Sequence, residues 1–380
     1  MISILALVVG CQADDGLSSA DTNVDDSGTD TAETDGDGDG DGDGDGDGDG
    51  DGDGDGDGDG CVPSPDWSAE DLGPGFRHAI ALSADDTLHY LREQGSFIYY
   101  RERPVGGEWS AEDSHEGGPD FAFTVRMLAH QGGIAAATEN DNRVIQRSVA
   151  GDWLVEEAPG IGSAVPGLAY APDGTLHATD MRNQLDPPDY SRKPPGGEWE
   201  AVPLPAAMAG GETTEVTVID GVVHICTVLF PNAACTSSAS DFTQVETVPG
   251  WEISRVCMSG AWLVTASVTP DFTTNLSAWR WDGSAWAQVA STTSSGFLGT
   301  IHCDEDALGS LHVATTLIPS FEENVWQVRY FGFEADGSVE RSWIHCNAQT
   351  ADVVGLSDGT PVVSYGETVQ QGSVFLATPN

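Results

Sequence analysis

A tryptophan or phenylalanine returns every 42 to 46 residues through most of this chain. A repeat of this length indicates supersecondary units that are each too small to bury their own apolar face and must stack on their neighbours. We therefore expect a repeat architecture and not a single layered domain. The repeated positions are Trp67, Trp109, Trp153, Trp199, Phe242 and Trp286, with Val339 in a degenerate seventh copy.

A second motif, Asp-Gly-x-Leu-His, marks the middle of each unit. Asp-Gly between two short apolar runs is typical of a hairpin, because glycine accepts the positive φ that a tight turn requires. Each unit then contains four strands, and four-stranded units repeated radially form a β-propeller. The copies start at Asp86, Asp173, Asp220, Gly309 and Asp358, with weaker ones at Gly133 and Gly260.

We predict an all-β, seven-bladed β-propeller, with six blades as the alternative count. The last unit, 352–380, has three strands and lacks the aromatic strand, whereas residues 66–71 repeat the sequence pattern of residues 108–113. The N-terminal strand near Trp67 should therefore complete the seventh blade. Such closure pairs both edges of the ring, which removes the hazard of an open sheet edge.

Composition divides the chain into a signal segment (1–11), a linker (12–60) and the propeller body (61–380). The linker holds 20 acidic residues and no basic residue, and it ends in thirteen Asp-Gly pairs. It has almost no apolar surface to offset the entropy of ordering, so we expect a disordered tail. As a Gly-rich coil it would span about 35–42 Å and act as a tether.

The body remains strongly acidic, with 42 acidic residues against 14 basic residues. A net charge of −28 repels phosphate backbones, so we expect no nucleic-acid partner. Nothing in the repeat requires a second copy of the chain, and we expect a monomer.

The N-terminus resembles the lipobox of a bacterial lipoprotein signal peptide, because the apolar run 2–9 ends in Val8-Val9-Gly10-Cys11. The resemblance implies that Cys11 carries the lipid and becomes the mature N-terminus. Export signals carry a basic n-region, and none precedes this run, so we expect translation to begin upstream of Met1. Gln12 after the cysteine implies an anchor in the outer membrane, with the body exposed at the cell surface.

Six cysteines remain if Cys11 takes lipid, and an exported protein can form disulfides. Six cysteines allow fifteen pairings. Our first expectation is a bond between Cys226 and Cys235, which flank one loop of the fourth unit. Metal ligation is the rival role, although no Cys-x-x-Cys spacing occurs. The candidates are Cys61, Cys226, Cys235, Cys257, Cys303 and Cys346.

The Asp-Gly tract repeats the opening of an EF-hand calcium loop, which also needs a carboxylate at position twelve. Inside the tract that position is always glycine, and only one register places a carboxylate there, formed by Asp55, Asp57, Asp59 and Asp66. Pro63 and Pro65 interrupt this register. We therefore expect no cofactor and no specific metal site, only weak, diffuse Ca²⁺ binding by the tract.

The repeat histidines His89, His177, His224 and His312 lie in separate units and cannot converge on one ion. We expect them to serve the turns or the packing between blades. No nucleophile elbow, zinc-protease helix or phosphate loop is present. The sialidases share the propeller shape and Asp-Gly turns, but Ser83 to Leu88 matches only the start of their Asp-box pattern, so the resemblance is distant.

The loops between the second and third strands differ most from unit to unit. Function concentrates on variable loops that a rigid scaffold holds. We predict them at 182–188, 229–238, 269–275 and 318–324. The candidate ligand-binding residues in them are Arg182, Phe230, Asp271, Phe272, Phe321, Glu322 and Glu323.

The body resembles the repeat-containing β-propeller lipoproteins of bacteria. Our leading hypothesis is a non-enzymatic, surface-tethered binding module for an extracellular glycan or protein. One alternative is an extracellular glycoside hydrolase or lyase of the sialidase-like propeller type. The other is a structural envelope lipoprotein. A hydrolase needs convergent carboxyl groups with a raised pKa, and a lectin needs exposed aromatic residues beside polar groups.

Overall fold

The computed structural model describes residues 64–75, 77–116, 126–131, 133–137, 143–159, 167–180, 186–211, 213–319, 325–367 and 372–380. These residues form seven four-stranded antiparallel sheets, which are the blades of the predicted propeller. The first strands of neighbouring blades contact one another around the ring, so they line its central channel.

The strands follow chain order within blades 1 to 6, and the first strand of the chain, β1 (Trp67–Pro74), belongs to blade 7. Blades 1 to 3 comprise β2 (His78–Leu82), β3 (Leu88–Gln94), β4 (Phe97–Arg103) and β5 (Asp113–Glu116); β6 (Met127–His130), β7 (Gly133–Ala137), β8 (Arg143–Arg147) and β9 (Trp153–Glu157); and β10 (Gly167–Tyr170), β11 (Leu176–Asp180), β12 (Asp189–Lys193) and β13 (Glu200–Ala201). Blades 4 to 7 comprise β14 (Thr214–Ile219), β15 (Val222–Leu229), β16 (Asn232–Ser237) and β17 (Val245–Val248); β18 (Ile253–Ser259), β19 (Trp262–Val268), β20 (Thr273–Trp281) and β21 (Trp286–Ser295); β22 (Phe297–Glu305), β23 (Leu311–Ile318), β24 (Gln327–Phe333) and β25 (Val339–Cys346); and β26 (Ala348–Gly355), β27 (Pro361–Glu367), β28 (Ser373–Pro379) and β1. Two 3₁₀ helices, Ala206–Met208 and Ser238–Ser240, complete the described elements.

The N-terminal strand closes the ring, as the sequence predicted. Strand β1 pairs with β28 from Trp67 opposite Pro379 to Asp71 opposite Phe375. Trp67 is buried in the apolar cluster between blades 6 and 7, with its ring edge-on to Tyr330 at 5.5 Å. The blade therefore joins the two ends of the described chain.

The Asp-Gly turns adopt the conformation that their sequence requires. Gly174 has a φ of +86°, in the region that favours glycine. Blade 1 has no glycine at this turn, and Asp86 takes the left-handed conformation there with a φ of +59°. Aspartate is one of the few residues that tolerate it.

The hydrophobic core consists of clusters between neighbouring blades, not of one central mass. Among the described residues, seven such clusters occur, one at each blade interface. The repeated aromatic residue, which lies on the fourth strand or shortly before it, packs into several of them, which explains its period. Each blade thus completes the core of the next.

The repeat histidines are buried and serve both the turns and the blade interfaces. His89 Nε2 lies 2.8 Å from the hydroxyl of Ser83 in its turn, and His312 Nε2 lies 3.0 Å from Asp306 Oδ2. In three blades Nδ1 also hydrogen-bonds a tyrosine hydroxyl on the third strand, in the pairs His89–Tyr100, His177–Tyr190 and His312–Tyr330, at 2.6 to 2.8 Å.

The predicted bond between Cys226 and Cys235 is present, but the predicted loop 229–238 is wrong. The two cysteines lie directly opposite each other on β15 and β16, so residues 232–237 form the third strand. Only Phe230 and Pro231 separate the strands. The predicted loop 269–275 is also too long, because β20 begins at Thr273.

A second disulfide joins Cys257 of β18 to Cys303 of β22, and so links the first strands of blades 5 and 6. Cys346 is disulfide-bonded as well. Cys61 and the predicted lipidation site Cys11 lie outside the described residues.

Candidate functional site

Two parts of the ring bring functional side chains together: an exposed face of loops and the wall of the central channel. The loop face carries the connections between second and third strands together with those between blades. Backbone hydrogen bonds join the two kinds of loop, from Ile253 N to Pro231 O (3.0 Å) and from Gly296 N to Phe272 O (2.7 Å). In blades 4 and 5, the loop between the second and third strands is therefore joined to the connection that leads to the next blade.

Four exposed aromatic residues occupy this surface on blades 4, 5 and 6, and we call them the aromatic face. Phe230 and Phe272 were predicted, and 65% and 47% of their surfaces are exposed. Trp251 (57% exposed) and Phe297 (40% exposed) were missed, because Trp251 lies in the connection between blades 4 and 5 and Phe297 is the first residue of β22, both outside the loops between second and third strands.

Phe272 is held on this face by an unusual backbone. Its φ is +60°, a left-handed conformation that costs a residue other than glycine about 1–2 kcal/mol. The loop is tied down on both sides, since Phe272 N donates to Thr269 O at 2.9 Å and Phe272 O accepts from Gly296. This backbone conformation at an exposed aromatic residue makes Phe272 a candidate for a functional position.

Acidic residues flank the aromatic face. Asp271 precedes Phe272, and its pKa is lowered because its carboxylate accepts a hydrogen bond from the Thr269 hydroxyl. Glu252 follows Trp251 and has a φ of +53°. The surface thus offers aromatic rings beside carboxylate acceptors, the combination expected of a lectin.

The other predicted binding residues, Arg182, Phe321, Glu322 and Glu323, lie outside the described residues. So do Asp55, Asp57 and Asp59 of the alternative calcium register. Its fourth member, Asp66, is exposed beside the closing strand, and its carbonyl oxygen accepts a hydrogen bond from Asn380. In the described part of the chain, no group of three or more His, Cys, Asp or Glu residues is placed to hold a metal ion.

The channel wall carries a set of ionisable side chains that the sequence argument missed. The position lies on the first strand, or in blade 2 directly before it, two residues before the partner of the repeat histidine or its counterpart. It holds Arg126, Glu215, His302 and Asp352 in blades 2, 4, 6 and 7. We call these four residues the channel ring; 10% to 20% of each side chain is exposed.

Arg126 connects distant blades across the channel. Its Nη1 donates to Glu215 Oε2 of blade 4, and its Nη2 donates to the carbonyl oxygen of Met258 in blade 5. Blade 3 lies between blades 2 and 4 and has Gly167 at the ring position. A Cβ there would lie 2.9 Å from Glu215 Cα, so the blades approach too closely for any side chain.

Burial raises the pKa of the two carboxyl groups of the channel ring and lowers that of its histidine. It raises the pKa of Glu215 to about 7, against the opposing effect of the Arg126 guanidinium. It raises the pKa of Asp352 to about 6, although this carboxylate accepts hydrogen bonds from the backbone N–H groups of Ile80 and Val353. His302 Nδ1 lies 3.4 Å from Asp352 Oδ1, and burial lowers the pKa of His302 to about 4.

The ring could be recognised only from the alignment of all seven blades. Its four members are four different residue types, so no residue repeats at this position. Ala79, Gly167 and Val256 occupy the same position in the other three blades. A carboxyl group with a pKa near 7 can hold or release a proton at neutral pH, as a general acid or base must.

Comparison with known proteins establishes the fold and no family. No protein-family model and no curated protein matches the chain. Among solved structures it is similar to a streptogramin B lyase, at a TM-score of 0.55 and 12% identity over 83% of this chain and 98% of that chain. Virginiamycin B lyase from Staphylococcus aureus gives the same TM-score and identity over 83% of this chain and 100% of that chain.

A chain of the mitotic checkpoint complex is similar at nearly the same level, with a TM-score of 0.52 and 11% identity over 83% of this chain and 91% of that chain. Two lyases and a chain of a multiprotein complex thus share this architecture. Propellers host many functions, so the similarity is evidence for the fold alone. Among the described residues, no helix is long and apolar enough to span a membrane.

Proposed function

We propose that this protein is a non-enzymatic binding module that recognises an extracellular glycan through the aromatic face, while a lipid on Cys11 and the acidic linker tether it to the outer membrane at the cell surface. The observation that carries the proposal is the exposure of Phe230, Trp251, Phe272 and Phe297 on one loop surface. Monomeric proteins rarely expose several large aromatic side chains together unless the surface binds something.

The chemistry of this surface favours a neutral glycan. Aromatic rings present large apolar faces that can stack on the C–H face of a sugar ring. Carboxylates such as that of Asp271 accept hydrogen bonds from hydroxyl groups. The body's net charge of −28 opposes acidic glycans. Because the four rings belong to three blades, an extended chain of sugars fits better than a single sugar.

The test is a glycan-array screen with the full chain carrying Cys11→Ala, so that no lipid is attached. We expect retention on neutral glycans and its loss in Phe272→Ala and Trp251→Ala. The matched control is Trp343→Ala, which removes a half-exposed tryptophan from the outer strand of blade 6. Absence of retention on every glycan would favour a protein ligand or the structural role instead.

A second function, hydrolysis or elimination on a sugar chain, is favoured by the channel ring. Its carboxyl groups on Glu215 and Asp352 have the raised pKa values that acid–base catalysis needs. The test is product release from the same array. Loss of product in Glu215→Gln, with retention unchanged, would establish the enzyme; no product from any sugar would remove this candidate.

A further inference from the structure

A cavity of about 500 Å³ lies between blades 4 and 5, at the end of the ring opposite the loop face. Comparison with the His–Tyr pairs of blades 1, 3 and 6 explains why the cavity exists. In blades 1, 3 and 6 the tyrosine ring fills the space between the repeat histidine and an aromatic residue of the next blade. The tyrosine contacts are Tyr100–Trp153, Tyr190–Phe242 and Tyr330–Trp67, with ring centroids 5.2 to 6.1 Å apart.

Blade 4 has no tyrosine at this position. The tyrosine of blades 1, 3 and 6 pairs with the residue two positions after the histidine, as Tyr100 does with Leu91. In blade 4 that pair is Cys226 and Cys235. The disulfide therefore replaces a large phenol ring with a sulfur bridge, and the cavity, which Cys235 lines, occupies this interface.

Three aromatic rings meet at the cavity: those of His224, Trp281 and Trp286. His224 is 4.6 Å from Trp281 and 5.9 Å from Trp286, and the two indoles are 5.5 Å apart. The rings are inclined to one another by 60° to 82°. They thus form the walls of a corner, the arrangement by which aromatic residues surround an organic cation.

The charge of the cavity also favours a cation. Glu246 lines it, on the outer strand directly opposite Cys235, and its Oε1 accepts a hydrogen bond from Trp286 N at 3.2 Å. No lysine or arginine of the described chain lines it. Burial lowers the pKa of His224 to about 4, so this ring is neutral at physiological pH and does not repel a cation.

We propose that this cavity is a second binding site, specific for a quaternary ammonium group that carries a hydroxyl. The cation rests against the rings of His224, Trp281 and Trp286, with the carboxylate of Glu246 as its counter-charge. The indole N–H of Trp286 is buried and has no hydrogen-bond partner in the described structure, and the ligand's hydroxyl oxygen supplies an acceptor. The site is separate from the aromatic face and does not depend on the proposed glycan function.

Isothermal titration of the full chain with choline chloride tests this proposal. The comparison ligand is 3,3-dimethylbutan-1-ol, which has the same shape and hydroxyl without the charge. We expect choline to bind and the alcohol to bind at least tenfold more weakly. Trp281→Ala should weaken choline binding about 5- to 30-fold. Trp343→Ala, far from the cavity, should leave it unchanged.

Glu246→Gln keeps the size of the side chain and removes its charge, so it tests the site even if Trp281→Ala fails to fold. We expect a several-fold loss of choline affinity, with an unchanged thermal transition. Three results would overturn the proposal: no heat of binding up to about ten millimolar choline, equal binding of choline and its uncharged analogue, or choline binding that neither cavity variant changes. Loss of glycan retention in the aromatic-face variants alone would leave this site intact.

Discussion

Ring closure by the N-terminal strand makes Trp67→Ala a strongly destabilising substitution. Trp67 is 8% exposed and packs between blades 6 and 7, edge-on to Tyr330. Truncating a buried tryptophan costs about 3–5 kcal/mol, because the transfer free energy is lost and a cavity remains. At about 2 cal/mol/K of unfolding entropy per residue, a body of this length should melt about 5–8 °C lower.

The assay is thermal and urea unfolding of the full chain, followed by circular dichroism. Trp343→Ala is the matched control, since this tryptophan also lies on a fourth strand but is 38% exposed. We expect the control to lose less than about 1 kcal/mol. Equal transitions for the two variants, or an unchanged transition after deletion of residues 62–72, would refute closure by this strand.

Three further predictions concern stability. Burial lowers the pKa of His177 to about 4, so the contribution of its neutral ring to stability is lost as pH falls from 6.5 toward 4. His177→Gln should therefore flatten the dependence of Tm on pH in this range. An unchanged slope would count against a buried, neutral His177. Burial raises the pKa of Asp352 to about 6, so the free energy of unfolding of the wild type falls as pH rises from 3.8 to 6. Asp352→Asn removes this loss, and urea titrations should show its free energy of unfolding gaining up to about 3 kcal/mol relative to the wild type across that pH range. No gain would argue against a buried carboxyl group. Gly167→Ala should cost about 1–3 kcal/mol in the same urea assay, because its Cβ would lie 2.9 Å from Glu215 Cα, whereas Gly75→Ala, with no contact under 3.4 Å, should cost less; equal costs would contradict the close approach of blades 3 and 4.

The repeat was sufficient to predict the architecture. Periodic aromatic positions and Asp-Gly turns specify local structure, and their count specifies the number of blades. The unpaired copy at Trp67 predicted the closing strand, because an edge strand without a partner is unfavourable. Blade 3 shows how local these signals are: its turn at Gly174 has the positive φ that the Asp-Gly sequence indicates.

The functional positions were less accessible to sequence reasoning. Residues 232–237 were predicted as part of a loop, but they form the third strand of blade 4, with Cys235 opposite Cys226 and only Phe230 and Pro231 in the turn. Trp251 is exposed only because the connection between blades places it on the loop face. The members of the channel ring are far apart in the sequence and converge only when the ring closes.

The cavity between blades 4 and 5 illustrates the same limit. The histidine motif continues through blade 4, and the sequence alone gives His224 the same role as its counterparts. The difference lies at Cys235, where a tyrosine is needed to complete the repeat contact. That substitution becomes visible only when the strand register aligns the third strands of different blades.

The central claim is that the aromatic face is the recognition surface, and the most direct measurement is the Kd of the glycan that the array retains, for the wild type and for Trp251→Ala, Phe272→Ala and Trp343→Ala. The account predicts that each of the first two substitutions weakens binding by about 30-fold or more, as expected of a central aromatic contact. It predicts no change for Trp343→Ala. Wild-type affinity in both aromatic-face variants would contradict the claim.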